Sequence, residues 1–224
     1  MALLSSADQQ VLRDTLATMT RPVKVVFFTQ AIGCETCAEA RQIVAELTAA
    51  SERISVEELN PVLDQDRAAQ YGIDRAPGLV LLTADGDDSR VRFLGAPSGY
   101  DFTALVDAVL LVSGAPGQDL SSATRDRLAG LTAPLDIRVF VTPTCGYCPR
   151  AVALANRLAS ASALITATTV QATEFPDLAR QSRVSGVPKT VASNGREVLG
   201  AVPEAQFVAQ LLDDEAEGDP AGRR

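Results

Sequence analysis

The chain has 224 residues, 46% hydrophobic and 21% charged, with a net charge of −8 at pH 7 and no histidine. That length suits two domains of roughly 110 residues, each able to bury an adequate core. The acidic balance, with no Lys/Arg cluster carrying interleaved aromatics, excludes a nucleic-acid backbone as partner. The missing imidazoles exclude Cys-His and Ser-His nucleophile pairs and mixed Cys/His zinc sites.

The N-terminus has no basic segment leading into an apolar one, and no run of about 18 apolar residues occurs, so a cytoplasmic protein without a membrane partner is expected. Residues 6–19 read as an amphipathic helix, with Val11, Leu12, Leu16 and Met19 at helical spacing and Pro22 ending it. Residues 23–29 are β-branched and aromatic, a buried strand that runs through a short loop into Cys34. After Cys37 the chain is helical to about residue 50: Ala38, Ile43, Val44 and Leu47 form one apolar stripe, with Glu39, Arg41 and Glu46 off it. Residues 54–59 read as a strand, 64–71 as a short helix closed by Gly72, and 79–83 as a strand just after Pro77. Asp85-Gly86 signals a hairpin, with 91–94 returning and 102–111 forming a closing helix. Strand, helix, strand requires a parallel crossover and the hairpin adds antiparallel strands, so the sheet is mixed and covered by helices.

The stretch Ser113-Gly114-Ala115-Pro116-Gly117 breaks the pattern and divides the chain into residues 1–115 and 116–224. The same order then repeats. Residues 120–131 are helical, 137–141 a strand ending at Thr142-Pro143-Thr144-Cys145, 151–159 a helix, 164–170 a strand and 175–181 a short helix. Residues 189–192 form a strand after Pro188, Asn194-Gly195 a turn, 197–199 a strand and 203–212 the last helix, with an acidic tail expected to fray.

All four cysteines lie in two Cys-x-x-Cys pairs, Cys34/Cys37 and Cys145/Cys148. Cys145 stands 111 residues after Cys34, as Cys148 does after Cys37 and Pro188 after Pro77. A cysteine pair and a distant proline repeated at one offset point to two related domains with a redox site in at least one. A single four-thiolate zinc site is the competing reading, but 107 residues lie between Cys37 and Cys145, against the usual 15 to 20 or so. A thiol attacks only as thiolate, and lowering a cysteine pKa from about 8.5 to about 7 requires roughly 2 kcal/mol. The first turn of a helix, where the first cysteine of each pair is expected, can contribute most of this through its unpaired N–H groups. The second cysteine, one turn later, resolves the mixed disulfide.

These residues resemble the thioredoxin/glutaredoxin superfamily: strand, Cys-x-x-Cys, helix, strand, helix, then X-Pro before a hairpin. The tandem form, with Thr142-Pro143-Thr144-Cys145-Gly146-Tyr147-Cys148-Pro149 and Val187-Pro188-Lys189, is similar to the two-domain protein disulfide oxidoreductases of bacteria and archaea. The resemblance spans residues 8–212. It implies an α/β protein of two tandem thioredoxin-like folds, each a mixed sheet flanked by helices, exchanging disulfides with protein substrates. It also implies that Ala76–Pro77 and Val187–Pro188 are cis and present Ala76 and Val187 to a substrate strand. No bound cofactor or metal is expected. Reducing equivalents would come from NADPH through a flavoprotein of the thioredoxin-reductase kind, or from glutathione, because no G-x-G-x-x-G fingerprint occurs.

Glu35 beside Cys34 disfavours a thiolate there, whereas Gly146-Tyr147 is uncharged, so Cys145/Cys148 is expected to be the main exchange site. Tyr147 is a candidate substrate contact. Many relatives bury a carboxylate behind the cysteines; Glu57 or Glu58 is the candidate for the first site, and Glu174 or water for the second. Two rival functions are a dedicated electron relay to a peroxidase, similar to the tandem domain of the flavoprotein that reduces it, and a binding module or holdase with incidental thiols.

Overall fold

The computed structural model describes residues 3–212. The first half contains α1 (Ser6–Leu16), β1 (Val23–Phe28), α2 (Cys37–Ala49), β2 (Ile54–Leu59), α3 (Gln65–Tyr71), β3 (Gly78–Leu82), β4 (Asp88–Leu94) and α4 (Tyr100–Val112). The second contains α5 (Ser122–Ala129), β5 (Leu135–Val141), α6 (Cys148–Ala161), β6 (Ile165–Gln171), α7 (Pro176–Gln181), β7 (Lys189–Ala192), β8 (Glu197–Leu199) and α8 (Glu204–Leu212). The element order is the one periodicity predicts, with ends shifted by a few residues. The acidic tail lies outside the described residues.

The strands form one continuous eight-stranded sheet, in the order β2-β1-β3-β4-β6-β5-β7-β8. The halves join through a parallel pair, β4 on β6, with Leu94 opposite Val170. Within each half, the first two strands are parallel and the last hairpin is antiparallel. The pairings orient β1, β4, β6 and β5 the same way, so their C-terminal ends emerge at one edge of the sheet.

Alternation along the strands divides the core. Val25, Phe27, Leu79, Leu81, Ile137 and Val139 face the large cluster formed with α1, α2, α4, α6 and α8. Val26, Phe28, Val80, Leu82 and Phe140 face the opposite side, covered by Tyr71 of α3 and Leu178 of α7. Both clusters cross from one half to the other, and α4 packs on α6. Among the described residues no helix is long and apolar enough to cross a membrane.

Candidate active site

Strand β1 ends at Phe28 and the chain loops through Gly33, at φ 75°, into Cys34. Strand β5 ends at Val141 and turns into Cys145, whose N–H donates to the Thr142 carbonyl at 3.0 Å. Each pair forms a disulfide, with Cα atoms 5.5 Å apart in both. Cys34 and Cys145 are half-buried, while Cys37 and Cys148 are 3% and 0% exposed. The outer sulfur of each pair is thus the one an incoming thiolate can reach, and the inner one is placed to leave. The helices begin at the second cysteine, with Thr36 and Tyr147 as N-caps. This corrects the expectation that the first cysteine occupies the first helical turn. It lies just before that turn, on the side toward which the unpaired N–H groups point.

The Ala76–Pro77 and Val187–Pro188 peptide bonds are cis. Gly78 pairs with Phe28 and Lys189 with Phe140, so each proline is carried by the strand beside the one that leads into its cysteine pair. The carbonyl of Pro77 accepts from Gly95 at 2.9 Å and that of Pro188 from Gly200 at 2.8 Å. Ala76 and Val187 are half-buried, and the Tyr147 ring is 68% exposed. Lys189 is occupied structurally: its ammonium donates to the carbonyls of Ser182 and Arg183 and pairs with Glu197 at 2.9 Å. Arg75 pairs with Asp74 and, across the two halves, with Asp177.

The carboxylates are distributed differently from the sequence expectation. Glu57 is not a buried proton acceptor. It stands on the outermost strand between Lys24, at 2.7 Å, and Arg67, and the hydrogen bond from Lys24 holds its carboxyl below the usual range. A carboxylate kept ionised by two cations takes a proton from a thiol poorly. Glu58 is 46% exposed and pairs with Arg41. Glu174, expected at the second site, lies instead at the first: Thr36, inside the first cysteine pair, donates its hydroxyl to Glu174 Oε2, and the Ala96 N–H donates to Oε1 at 2.9 Å.

The second site is met from the first half of the chain. The Tyr100 N–H donates to the Pro143 carbonyl at 2.9 Å. A Cβ on Gly146 would stand 3.6 Å from the Tyr100 ring, so that ring covers the backbone between Cys145 and Cys148. Adjacent to Tyr100 is Asp101, fully buried in the first turn of α4, with Oδ2 accepting from Gln171 Nε2 at 2.6 Å. Gln171 pairs with Val141, the last residue of the strand that leads to Cys145. Burial drives the Asp101 carboxyl up to about 7 against the lowering effect of the Gln171 bond. Its Oδ1 has no partner, nor does Gln171 Oε1. Sequence reasoning misses this group. Its signal is a carboxylate at the head of the buried face of α4, where Ala104, Leu105 and Ala108 follow at helical spacing.

The strand order separates the two cysteine pairs by four strand spacings, from β1 to β5, or about 19 Å at about 4.8 Å each. One ion with bonds of about 2.3 Å cannot span that distance, so the geometry opposes a shared four-thiolate site.

The thioredoxin-domain family matches residues 135–213. The F component of alkyl hydroperoxide reductase from Escherichia coli is 26% identical over 93% of this chain, and a Bacillus subtilis protein named NADH dehydrogenase is 27% identical over 84%. The chain spans only 37% of the length of either relative. Among solved structures, the NTD_N/C domain of alkylhydroperoxide reductase AhpF from Enterococcus faecalis superposes with a TM-score of 0.85 at 27% identity, covering 93% of this chain and 99% of that one. A protein disulfide oxidoreductase from Aeropyrum pernix gives 0.83 at 28% identity, covering 92% and 91%.

Proposed function

Because the chain belongs to the thioredoxin superfamily, as a two-domain thiol-disulfide oxidoreductase, we propose that it exchanges disulfides with protein substrates, mainly through Cys145/Cys148. One observation carries this reading: a half-exposed Cys145 and a buried Cys148 flank a backbone covered by Tyr100, whose chain neighbour Asp101 has a carboxyl that burial pushes up to about 7. A substrate dithiol supplies a thiolate that attacks Cys145 Sγ. The Cys145–Cys148 bond breaks and its electron pair leaves on Cys148, whose negative charge is neutralised by a proton from Asp101. The substrate's second thiolate then displaces Cys145, so the substrate is oxidised and the pair reduced. In reverse, ionised Asp101 accepts the Cys148 proton, and Cys148 attacks the mixed disulfide on Cys145.

Under this reading the units divide near residues 115 and 116, where Gly114 and Gly117 adopt φ of 78° and 85° between α4 and α5. Tyr147, Val187 and Pro188 line the substrate groove, and the protein acts in the cytoplasm. Electrons enter from NADPH through a flavoprotein reductase, or from glutathione. A second reading, an electron relay to a peroxide-reducing partner, is favoured by likeness to the F component of alkyl hydroperoxide reductase along 93% of the chain.

The test is insulin-disulfide reduction by Cys145→Ser and Cys34→Ser, driven by NADPH with thioredoxin reductase or by glutathione with its reductase. Greater loss from Cys145→Ser is expected. Greater loss from Cys34→Ser reverses the assignment, and full activity in a protein with both pairs changed to Ser removes the redox reading.

A further inference from the structure

We propose that the first dithiol site is completed across the unit boundary, with Glu174 of the second unit as its proton-holding and positioning carboxyl. The inference rests on reading the first pair as a working dithiol site, and it extends that reading to the origin of its proton.

The geometry is specific. Glu174 follows β6, a strand of the second half, yet both carboxylate oxygens are committed to the first: Oε2 to the Thr36 hydroxyl and Oε1 to the Ala96 N–H. Thr36 caps α2 directly before the buried Cys37. The backbone is shaped around this contact. Gly95 adopts φ 98°, and a Cβ there would stand 2.5 Å from the Gln171 side chain and 3.0 Å from Glu174 Oε1. A side chain at residue 95 would collide with Gln171 and press on the carboxylate. The two carboxylates on β2 are unsuited to the task, since Glu57 is held by Lys24 and Arg67 and Glu58 by Arg41.

The surroundings of Glu174 raise its pKa above the ordinary carboxylate value. Burial is the largest influence and raises its pKa. The hydrogen bonds from Thr36 and Ala96 lower it, and the charge of Glu39 on α2 raises it further. Arg75 of the first half, which stacks over the ring of the neighbouring Phe175, is paired with Asp74 and Asp177. Asp101 faces the same segment through Gln171, which also donates to the Ala96 carbonyl.

The chemical step balances without an added reagent. A thiolate of an incoming dithiol attacks Cys34 Sγ, the Cys34–Cys37 bond breaks, and the electron pair departs on Cys37 Sγ. A proton released from Glu174 neutralises it, leaving Glu174 ionised. The dithiol's second thiolate displaces Cys34, so the dithiol is oxidised and the site reduced. When the site is reoxidised the proton returns to Glu174 and Cys37 attacks as thiolate. The first site would therefore function only in the fused chain.

The experiment uses the full chain with Cys145 and Cys148 changed to Ser, so that only the first pair reports. Reduction by dithiothreitol and alkylation of Cys34 by iodoacetamide are followed against pH, for the parent and for Glu174→Gln and Thr36→Val, with near-UV circular dichroism as the check on folding. The parent should show two coupled titrations. Glu174→Gln should show one, with disulfide opening slowed at least about tenfold below neutral pH, the low side of what a positioned proton donor contributes. Thr36→Val, which keeps the carboxyl but cuts its link to the site, should shift the profile in the same direction and carries the test if Glu174→Gln does not fold. Profiles unmoved in folded variants overturn this proposal alone. A first pair that never cycles overturns it together with the reading beneath it.

Discussion

Replacing Asp101 with Asn should flatten the pH dependence of stability while impairing the second site. In the disulfide form the cysteines do not titrate, so the carboxyl can be followed without them. Asp101 is fully buried, and burial raises its pKa from 3.8 to about 7. An acid whose folded pKa is raised binds its proton more tightly in the native state. The native state is therefore favoured by this group below the unfolded pKa, and that contribution is lost as pH rises toward the folded value. The shift is about three units, which at about 1.36 kcal/mol each gives about 4 kcal/mol lost between roughly pH 4 and pH 8.

The amide of Asn carries no charge to desolvate. It can also donate to Gln171 Oε1 while accepting from Gln171 Nε2, which removes the two orphaned acceptors at this position. Oxidised parent and Asp101→Asn proteins should thus have similar stability near pH 4, and the variant should gain by up to about 4 kcal/mol near pH 8. Urea denaturation across that range measures the difference, with m-values reporting whether the unfolding transition stays comparable. Turnover of insulin at the second site should fall at the same time if Asp101 takes the Cys148 proton as proposed. A stability difference that does not change with pH would show that Asp101 is not a neutral acid held by burial, and the proton route drawn through it would fail.

Two further substitutions probe the surroundings of the second site. Gly99→Ala should destabilise the protein by about 2 kcal/mol in urea denaturation, because φ is 59° and the added Cβ would stand 2.3 Å from the Pro143 carbonyl oxygen; an unchanged midpoint would mean that the 95–100 segment is not pressed on the cysteine loop. Tyr147→Ala should raise KM for insulin roughly tenfold with kcat little changed, the loss of one exposed aromatic contact. Unaltered KM would place Tyr147 outside the substrate surface.

The elements legible in the sequence are those with strong local periodicity. The apolar run into Cys34, the Ile43, Val44, Leu47 stripe of α2 and the turns at Asp85-Gly86 and Asn194-Gly195 specify structure within a few residues of themselves. The cysteine pairs and prolines are legible because their common offset exposes the repeat. What escapes is contact between distant segments. The pairing of β4 with β6 leaves no local mark, since Val91 and Phe93 read as buried whether a helix or another strand covers them. Position in the chain alone puts Glu174 at the second site, because nothing in residues 172–175 signals that the loop leans toward Thr36. Asp101 escapes because α4 is apolar enough to read as a core helix, and the one carboxylate on its buried face reads as an ordinary first-turn acid.

The parallel pairing of β4 and β6 explains why carboxylates and cysteines cross over. Antiparallel β1-β3 and β3-β4 pairs orient β1 with β4, and the parallel β4-β6 and β6-β5 pairs carry that orientation to β5. These four strands, like β2 beside β1, therefore discharge their C-termini at one edge. The two outer ones, β1 and β5, lead to the cysteine pairs, and the two inner ones, β4 and β6, lead to the segments that carry Asp101 and Glu174. Joined through an antiparallel pair, the halves would send those segments to opposite edges, and neither carboxyl would reach the other half's site. The same geometry keeps the strands that lead to the two sites about 19 Å apart, far beyond the reach of direct exchange between the two disulfides as placed. The shared sheet thus lets each half contribute a buried or half-buried carboxyl beside the other half's cysteine loop while keeping the two disulfides apart.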